Sequence, residues 1–187
     1  MRISNSLKLT TALAAVLSFG VTACDNKPKR KESQILIQDI ETGNVLLDKW
    51  QGPFGGVPPW DQVDVSKMES SLETAFEMAR VEIAKISDNK NKPTFDNTIV
   101  ALEKSGAPLN RAATIFFVHA SNLNTGEIPN ILAKMSPEFS KFSDEINQNP
   151  ALFSRVKAIY ENMDDLDTEQ KRLVKNYYDG FVRQGAT

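Results

Sequence analysis

From Val65 onward, apolar residues recur at steps of three and four. Val65, Met68, Leu72, Phe76, Ala79, Ile83 and Ile86 form one such series, and Glu73, Glu77, Arg80, Glu82 and Lys85 fill the other face. That period predicts an amphipathic helix. Ser66 followed by Glu69 has the spacing of a capping box at its start. A polar break over 88–92 precedes Pro93, which keeps the residue before it out of helical geometry. Residues 94–106 then carry their own start and stop signals. Thr94 is placed to cap, and Asp96 sets a negative charge at the positive end of the helix dipole. Phe95, Ile99 and Leu102 share a face, Lys104 lies near the end, and Gly106 suits a left-handed closing position. The expectation is a helix of about three turns.

Residues 107–123 are the most apolar of the chain outside its first residues. Ala112, Ala113, Ile115, Phe116, Phe117 and Val118 leave little room for a polar face, which predicts a helix buried on several sides. Ile128, Leu132, Met135, Phe139, Phe142 and Ile146 mark the next helix, with Pro137 inside the period, so a kink or break is expected near Met135. Asn149-Pro150 is a cap followed by proline at the first helical position, and Leu152, Phe153, Val156, Ile159 and Tyr160 form the face behind it. Asp167 opens the last helix, with Glu169 in its first turn, and Gly185 lies just past its end. No strand-like alternation and no internal repeat is seen after Trp60.

Residues 44–61 differ in kind. Trp50, Phe54 and Trp60 are spaced among Gly52, Pro53, Gly55, Gly56, Pro58 and Pro59, which excludes a regular helix. They read as an irregular strap pinned to the helices by its aromatics, or as an aromatic wall of a ligand groove. The fold class expected is all-α, a helical array of about five to six helices preceded by this strap.

The first residues belong to no fold. Arg2 and Lys8 precede an apolar stretch over 9–23, shorter than the ~20 residues of a membrane span, and together they read as a secretory signal peptide. Val21-Thr22-Ala23-Cys24 resembles the lipobox of bacterial lipoproteins, with Cys24 the lipidated residue; the alternative is an incidental cysteine after an ordinary cleavage site. The expected organisation is a signal peptide over 1–23, a tether over 24–43 and a helical region over 44–187. Lys27, Lys29, Arg30 and Lys31 make the tether basic, either as a solvated linker or in contact with anionic lipid. The expected location is the bacterial cell envelope, lipid-anchored at Cys24 and facing the periplasm. Asp25 after the cysteine resembles an inner-membrane retention signal of enterobacteria, and inner and outer membrane both stay open.

With 41% hydrophobic and 25% charged residues, the composition is that of a folded protein. With a net charge of -2, no nucleic-acid footprint is expected. Cys24 is the single cysteine, so no disulfide forms within the chain, and His119 is the single histidine. One imidazole without a histidine or cysteine partner is a poor zinc site, and a His-Glu-x-x-His helix cannot be built from it. The acidic run Asp164, Asp165, Asp167 and Glu169 fails as a calcium loop, because Gln170 stands where glycine is needed and Asn176 where the bidentate glutamate belongs. No nucleophile elbow and no phosphate-binding glycine loop is present. No catalytic or metal-ligating residue is therefore assigned.

Trp50, the run from Gly52-Pro53-Phe54-Gly55-Gly56 to Val57-Pro58-Pro59-Trp60-Asp61, and Pro93-Thr94-Phe95-Asp96-Asn97-Thr98-Ile99-Val100-Ala101-Leu102-Glu103-Lys104-Ser105-Gly106 together resemble the N-terminal part of the peptidyl-dipeptidase branch of the thimet-oligopeptidase family of zinc metallopeptidases. The likeness continues through Phe116-Phe117, Asn149-Pro150-Ala151-Leu152-Phe153, Arg172-Leu173 and Phe181-Val182-Arg183-Gln184-Gly185-Ala186. The resemblance implies an almost wholly helical enzyme with a deep channel, which removes dipeptides from the free C-terminus of short peptides. Its zinc and His-Glu-x-x-His helix lie in the C-terminal half, and the N-terminal helices form one side of the channel. On that reading this chain is an N-terminal fragment, catalytically silent alone, holding no cofactor itself and completed by a catalytic C-terminal half. It would leave an apolar patch where that half packs, expected at Tyr177, Tyr178 and Phe181. The alternative is a membrane-tethered helical module that binds peptides or a protein without cleaving them.

Overall fold

The computed structural model describes residues 41–53 and 56–186. The residues read as a signal peptide and as the first part of a tether, Cys24 among them, lie outside the described residues, as do Phe54 and Gly55 of the strap and Thr187. The described residues belong to one unit, and it is all-α, as the periodicity predicts. After the strap come short 3-10 turns at Trp60–Gln62 and Val65–Lys67, then α1 at Met68–Ser87. A π-type turn at Phe95–Val100 runs on into α2 at Ala101–Lys104. α3 spans Ala107–Asn122, α4 Ile128–Asn147, α5 Pro150–Tyr160 and α6 Thr168–Arg183.

Side-chain caps decide several of these boundaries. Thr94 Oγ1 accepts from the Asn97 N–H at 3.1 Å, and Asn97 Oδ1 accepts from the Thr94 N–H at 2.9 Å, closing a capping box. Asn149 Oδ1 accepts from the Leu152 N–H at 2.9 Å, and Asp167 Oδ1 from the Gln170 N–H at 2.9 Å. The Ser66–Glu69 box does not form. Asp64 Oδ1 takes both the N–H and the hydroxyl of Ser66, at 3.0 and 2.6 Å, so a 3-10 turn precedes the helix proper. Gly106, at φ 72°, makes the left-handed turn between α2 and α3.

Pro137 neither breaks nor ends α4, which is helical from Ile128 to Asn147. A proline inside a helix strips the donor from the carbonyl four residues earlier. Here Pro137 and Ala133 both lie on the exposed face, so the freed carbonyl is open to solvent. Glu82 also departs from expectation. It is 7% exposed rather than on the solvent face. One of its carboxylate oxygens accepts from the Gly106 N–H at 2.7 Å, which satisfies a backbone donor at the N-terminus of α3 and sets a negative charge at the positive end of that helix.

The helices enclose two clusters. In the first, Met68, Leu72, Phe76 and Ala79 of α1 pack with Leu109, Ala112, Ile115 and Phe116 of α3, Ile131 and Met135 of α4, and Leu46 and Leu47 of the strap. In the second, Ile83 and Ile86 of α1 pack with Ile99, Leu102, Leu152, Phe153, Val156, Ile159, Val174 and Phe181. Across the α1–α4 seam, Arg80 pairs with Glu145 at 2.8 Å and lies over the Phe76 and Phe142 rings, while Lys134 bridges Glu69 and Glu73. Such exposed ion pairs contribute about 1 kcal/mol or less each, so burial in the two clusters carries the fold.

The last helix does not present the apolar patch expected of it. Phe181 is 4% exposed, Tyr178 stacks on Tyr160 with ring centroids 4.0 Å apart, and the Tyr177 hydroxyl donates to Glu103 Oε1 at 2.7 Å. Burial, then the Glu103 carboxylate, pushes the Tyr177 phenol well above the ordinary tyrosine range. The unfolded chain ionises that phenol first, near pH 10. The stability linked to Tyr177 is therefore fully present below about pH 10 and drains away as pH rises from there toward the folded value. Chemical denaturation between pH 8 and 11 should show an alkaline loss in the wild type that is smaller in Tyr177→Phe. Equal slopes in the two proteins would refute the assignment.

Candidate functional site

The strap is held from three directions. Leu46 and Leu47 insert into the first cluster, at 1% and 3% exposure. Arg111 of α3 donates through Nε and Nη2 to the Leu47 carbonyl at 2.8 and 2.5 Å, and Asn44 Nδ2 donates to Ser71 Oγ of α1 at 2.9 Å. The strap then turns back on itself. The Val57 N–H reaches the Gln51 carbonyl at 3.1 Å, and Gly56 adopts φ 109° against the Trp50 backbone. Only a residue without a Cβ fits there, since that atom would lie 2.4 Å from the Trp50 carbonyl oxygen. Between the limbs is a cleft of about 540 Å³ bordered by Val45, Asp48, Trp50, Val57, Pro58 and Gln62.

The two described tryptophans do different things. Trp50 packs against the first cluster, and its Nε1 is buried with no hydrogen-bond partner among the described residues. Trp60 remains 45% exposed and leans on the ring of His119, centroids 6.1 Å apart at 48°. The expectation that aromatics pin the strap thus holds for Trp50 alone; Phe54 lies outside the described residues.

Beside Trp60, the second half of α3 opens to solvent. Phe117 is 43% exposed, Val118 38% and Leu123 56%, against 0% for Ile115 and Phe116. The expectation of a helix buried on several sides is corrected here. α3 packs on α1 through one face and on α4 through Phe117–Phe139, rings 5.1 Å apart, and the described residues place nothing over the remaining face. His119 sits half-buried at the edge of this surface.

Among the described residues, the donors do not fit a catalytic zinc. Among the described residues no three His, Cys, Asp or Glu side chains stand close enough to share a metal, and the sequence holds one histidine and one cysteine. In the acidic run before α6, Asp167 is used as a helix cap and Asp164, Asp165 and Glu169 are exposed to solvent. No helix among the described residues is long and apolar enough to cross a membrane. Two buried charges, Glu82 and Arg155, are not evident from the sequence. The only sequence trace of either is a charge standing next to apolar positions of its helix.

No family model matches the chain. It is 33% identical over 145 residues to the dipeptidyl carboxypeptidase of Salmonella typhimurium, a match covering 76% of this chain and 21% of that protein. With the dipeptidyl carboxypeptidase of Escherichia coli the identity is 33% over 131 residues, covering 69% of this chain and 19% of that protein. The chain is a distant relative of the dipeptidyl carboxypeptidases. It spans about a fifth of the length of these curated relatives. The peptidyl-dipeptidase resemblance drawn from residues 46–61 and 93–106 is thereby supported at the level of a distant relationship.

Proposed function

We propose that residues 44–187 form the N-terminal, channel-wall portion of a zinc-dependent peptidyl-dipeptidase that releases C-terminal dipeptides from short peptides, and that this chain by itself is catalytically silent. The observation that carries the reading is the collinear likeness: three quarters of this chain aligns with a fifth of a dipeptidyl carboxypeptidase. In this reading the chain's residues contribute shape, not chemistry. The helices form one side of the channel, short unstructured peptides are the molecules admitted, and the group supplying hydrolysis lies in a catalytic half. The experiment is a chimera in which residues 44–186 replace the matching segment of the Salmonella enzyme. The chimera should release dipeptides from short peptides in a zinc-dependent way, and the isolated chain should release none. An inactive chimera, or zinc-dependent release by the isolated chain, overturns the proposal.

The same proposal places the chain in the cell envelope, anchored by lipid at Cys24 and facing the periplasm. The supporting feature is the apolar stretch over 9–23 running into Val21-Thr22-Ala23-Cys24. Expressed in a bacterium fed a radiolabelled fatty acid, the wild type should take up label and partition with membranes, while Cys24→Ser should do neither. Labelling that survives Cys24→Ser would remove the anchor from that residue.

A further inference from the structure

The open face of α3 has a second property besides its exposure. Between Arg111 and Glu127 the sequence carries no Asp, Glu, Lys or Arg, and neither does the strap between Lys49 and Asp61. In a chain with 25% charged residues, these are two long neutral stretches. The Trp60–His119 ring contact brings the two stretches side by side, and Val57, Trp60, Phe117, Val118 and Leu123 are the large exposed apolar groups along them. The other exposed faces look different. Val81 on α1 is 46% exposed but sits among Glu77, Arg80 and Lys85, and on α6 Val182, 44% exposed, stands beside Asp179 and Arg183, with Lys171, Arg172 and Lys175 on the same helix. Depletion of charge together with exposed aromatic and aliphatic groups marks the centre of a lasting protein interface, whereas a solvated face keeps its charges.

We propose that this neutral face, the C-terminal half of α3 with Trp60, is where the catalytic half of the peptidyl-dipeptidase packs. The inference rests on the functional reading above and adds the docking surface to it. The occupant is argued from the comparison: relatives about five times the length of the matched segment supply, around that segment, the remaining polypeptide a neutral face requires. Charge selects against the other occupants. A bound peptide with a free C-terminal carboxylate would call for a cation, and between Arg111 and Glu127 there is none. Tyr177, Tyr178 and Phe181 of the last helix, where the sequence alone places such a surface, pack within their own cluster.

The test uses the same chimera, with Val118→Asp and Leu123→Asp introduced together, and Val81→Asp as an equally exposed control on α1. In the isolated chain the paired change should leave the unfolding midpoint unchanged, because both side chains face solvent there. In the chimera it should lower thermal stability and reduce dipeptide release about tenfold or more, a cost of the size expected for a buried interface contact, while Val81→Asp leaves both at the parent value. An active parent chimera that tolerates Val118→Asp/Leu123→Asp as well as it tolerates Val81→Asp overturns the docking surface and leaves the functional reading standing. If the paired change destabilises the isolated chain equally, its residues serve this chain's own fold and the docking surface falls. An inactive parent chimera brings down both.

Discussion

Replacing Arg155 by methionine will destabilise the fold by about 3 kcal/mol. Arg155 stands on α5 at 6% exposure, beside the second cluster. Its Nη1 donates to the Asn89 and Asn91 carbonyls at 2.6 and 3.2 Å, and its Nη2 to Asn97 Oδ1 and Thr98 Oγ1 at 2.7 and 3.1 Å. No carboxylate pairs with it among the described residues, and its Nε has no acceptor there. Desolvation lowers its pKa, yet a guanidinium starts so high that the charge persists through ordinary pH. Methionine fills the stem and relieves that desolvation, which offsets part of the loss. What it cannot restore is the fork that ties the 88–92 break and the Thr94–Asn97 capping box to α5. Asn97 Oδ1 alone accepts from Thr94, Thr98 and Arg155. Lysine, with a point charge in place of a planar fork, should recover only part of the difference. Denaturant melts of the wild type, Arg155→Met and Arg155→Lys decide it. A midpoint for Arg155→Met equal to the wild type, at unchanged slope, would mean that the network contributes nothing.

The second large effect is expected at Gly56. Alanine there brings a Cβ within 2.4 Å of the Trp50 carbonyl oxygen and 2.7 Å of its carbon, at a φ of 109° that side chains avoid. Backbone on backbone leaves no flexible atom to give way. Either the Val57–Gln51 hydrogen bond opens or Trp50 is pushed out of its place against the first cluster. The cost is about 2–3 kcal/mol, concentrated in the strap. With Trp60→Phe as background, Trp50 becomes the single indole of the chain. Gly56→Ala should then shift its emission to the red and raise its quenching by iodide. Unaltered emission together with an unaltered melt would show that the strap absorbs the clash.

Local chemistry is legible in the sequence where a side chain acts on its own backbone. Thr94, Asn149 and Asp167 cap the helices they are expected to cap, and Gly106 takes the left-handed turn, because each depends on residues a few positions away. The helical faces are legible for the same reason. What the sequence hides is set by distant partners. Glu82 turns inward because Gly106, 24 residues on, presents a free N–H. Arg155 is buried because the 88–92 break and the turn at Phe95–Val100, 57 to 66 residues earlier, offer it oxygens. Ser66 loses its capping role to Asp64, a nearby competitor with a stronger acceptor. For the candidate site, composition shows that 112–118 is apolar but not how many neighbours surround it. Tyr177, Tyr178 and Phe181 therefore pack in their own cluster, and on α3 and the strap the exposed apolar groups stand at Phe117, Val118 and Trp60.

α1 belongs to both clusters, with Met68, Leu72, Phe76 and Ala79 in the first and Ile83 and Ile86 in the second. That shared helix restricts how the sequence can lengthen or shorten over evolutionary time. Each residue inserted into a helix advances it about 1.5 Å and rotates every later position by about 100°. A single insertion or deletion between Ala79 and Ile83 would therefore swing Ile83 and Ile86 out of the second cluster while Phe76 stayed in the first. The turns at 123–127 and 161–167, whose residues are mostly exposed, have no such constraint. Length variation among relatives should collect in those turns, and the spacing across the middle of α1 should be kept even where its residues change.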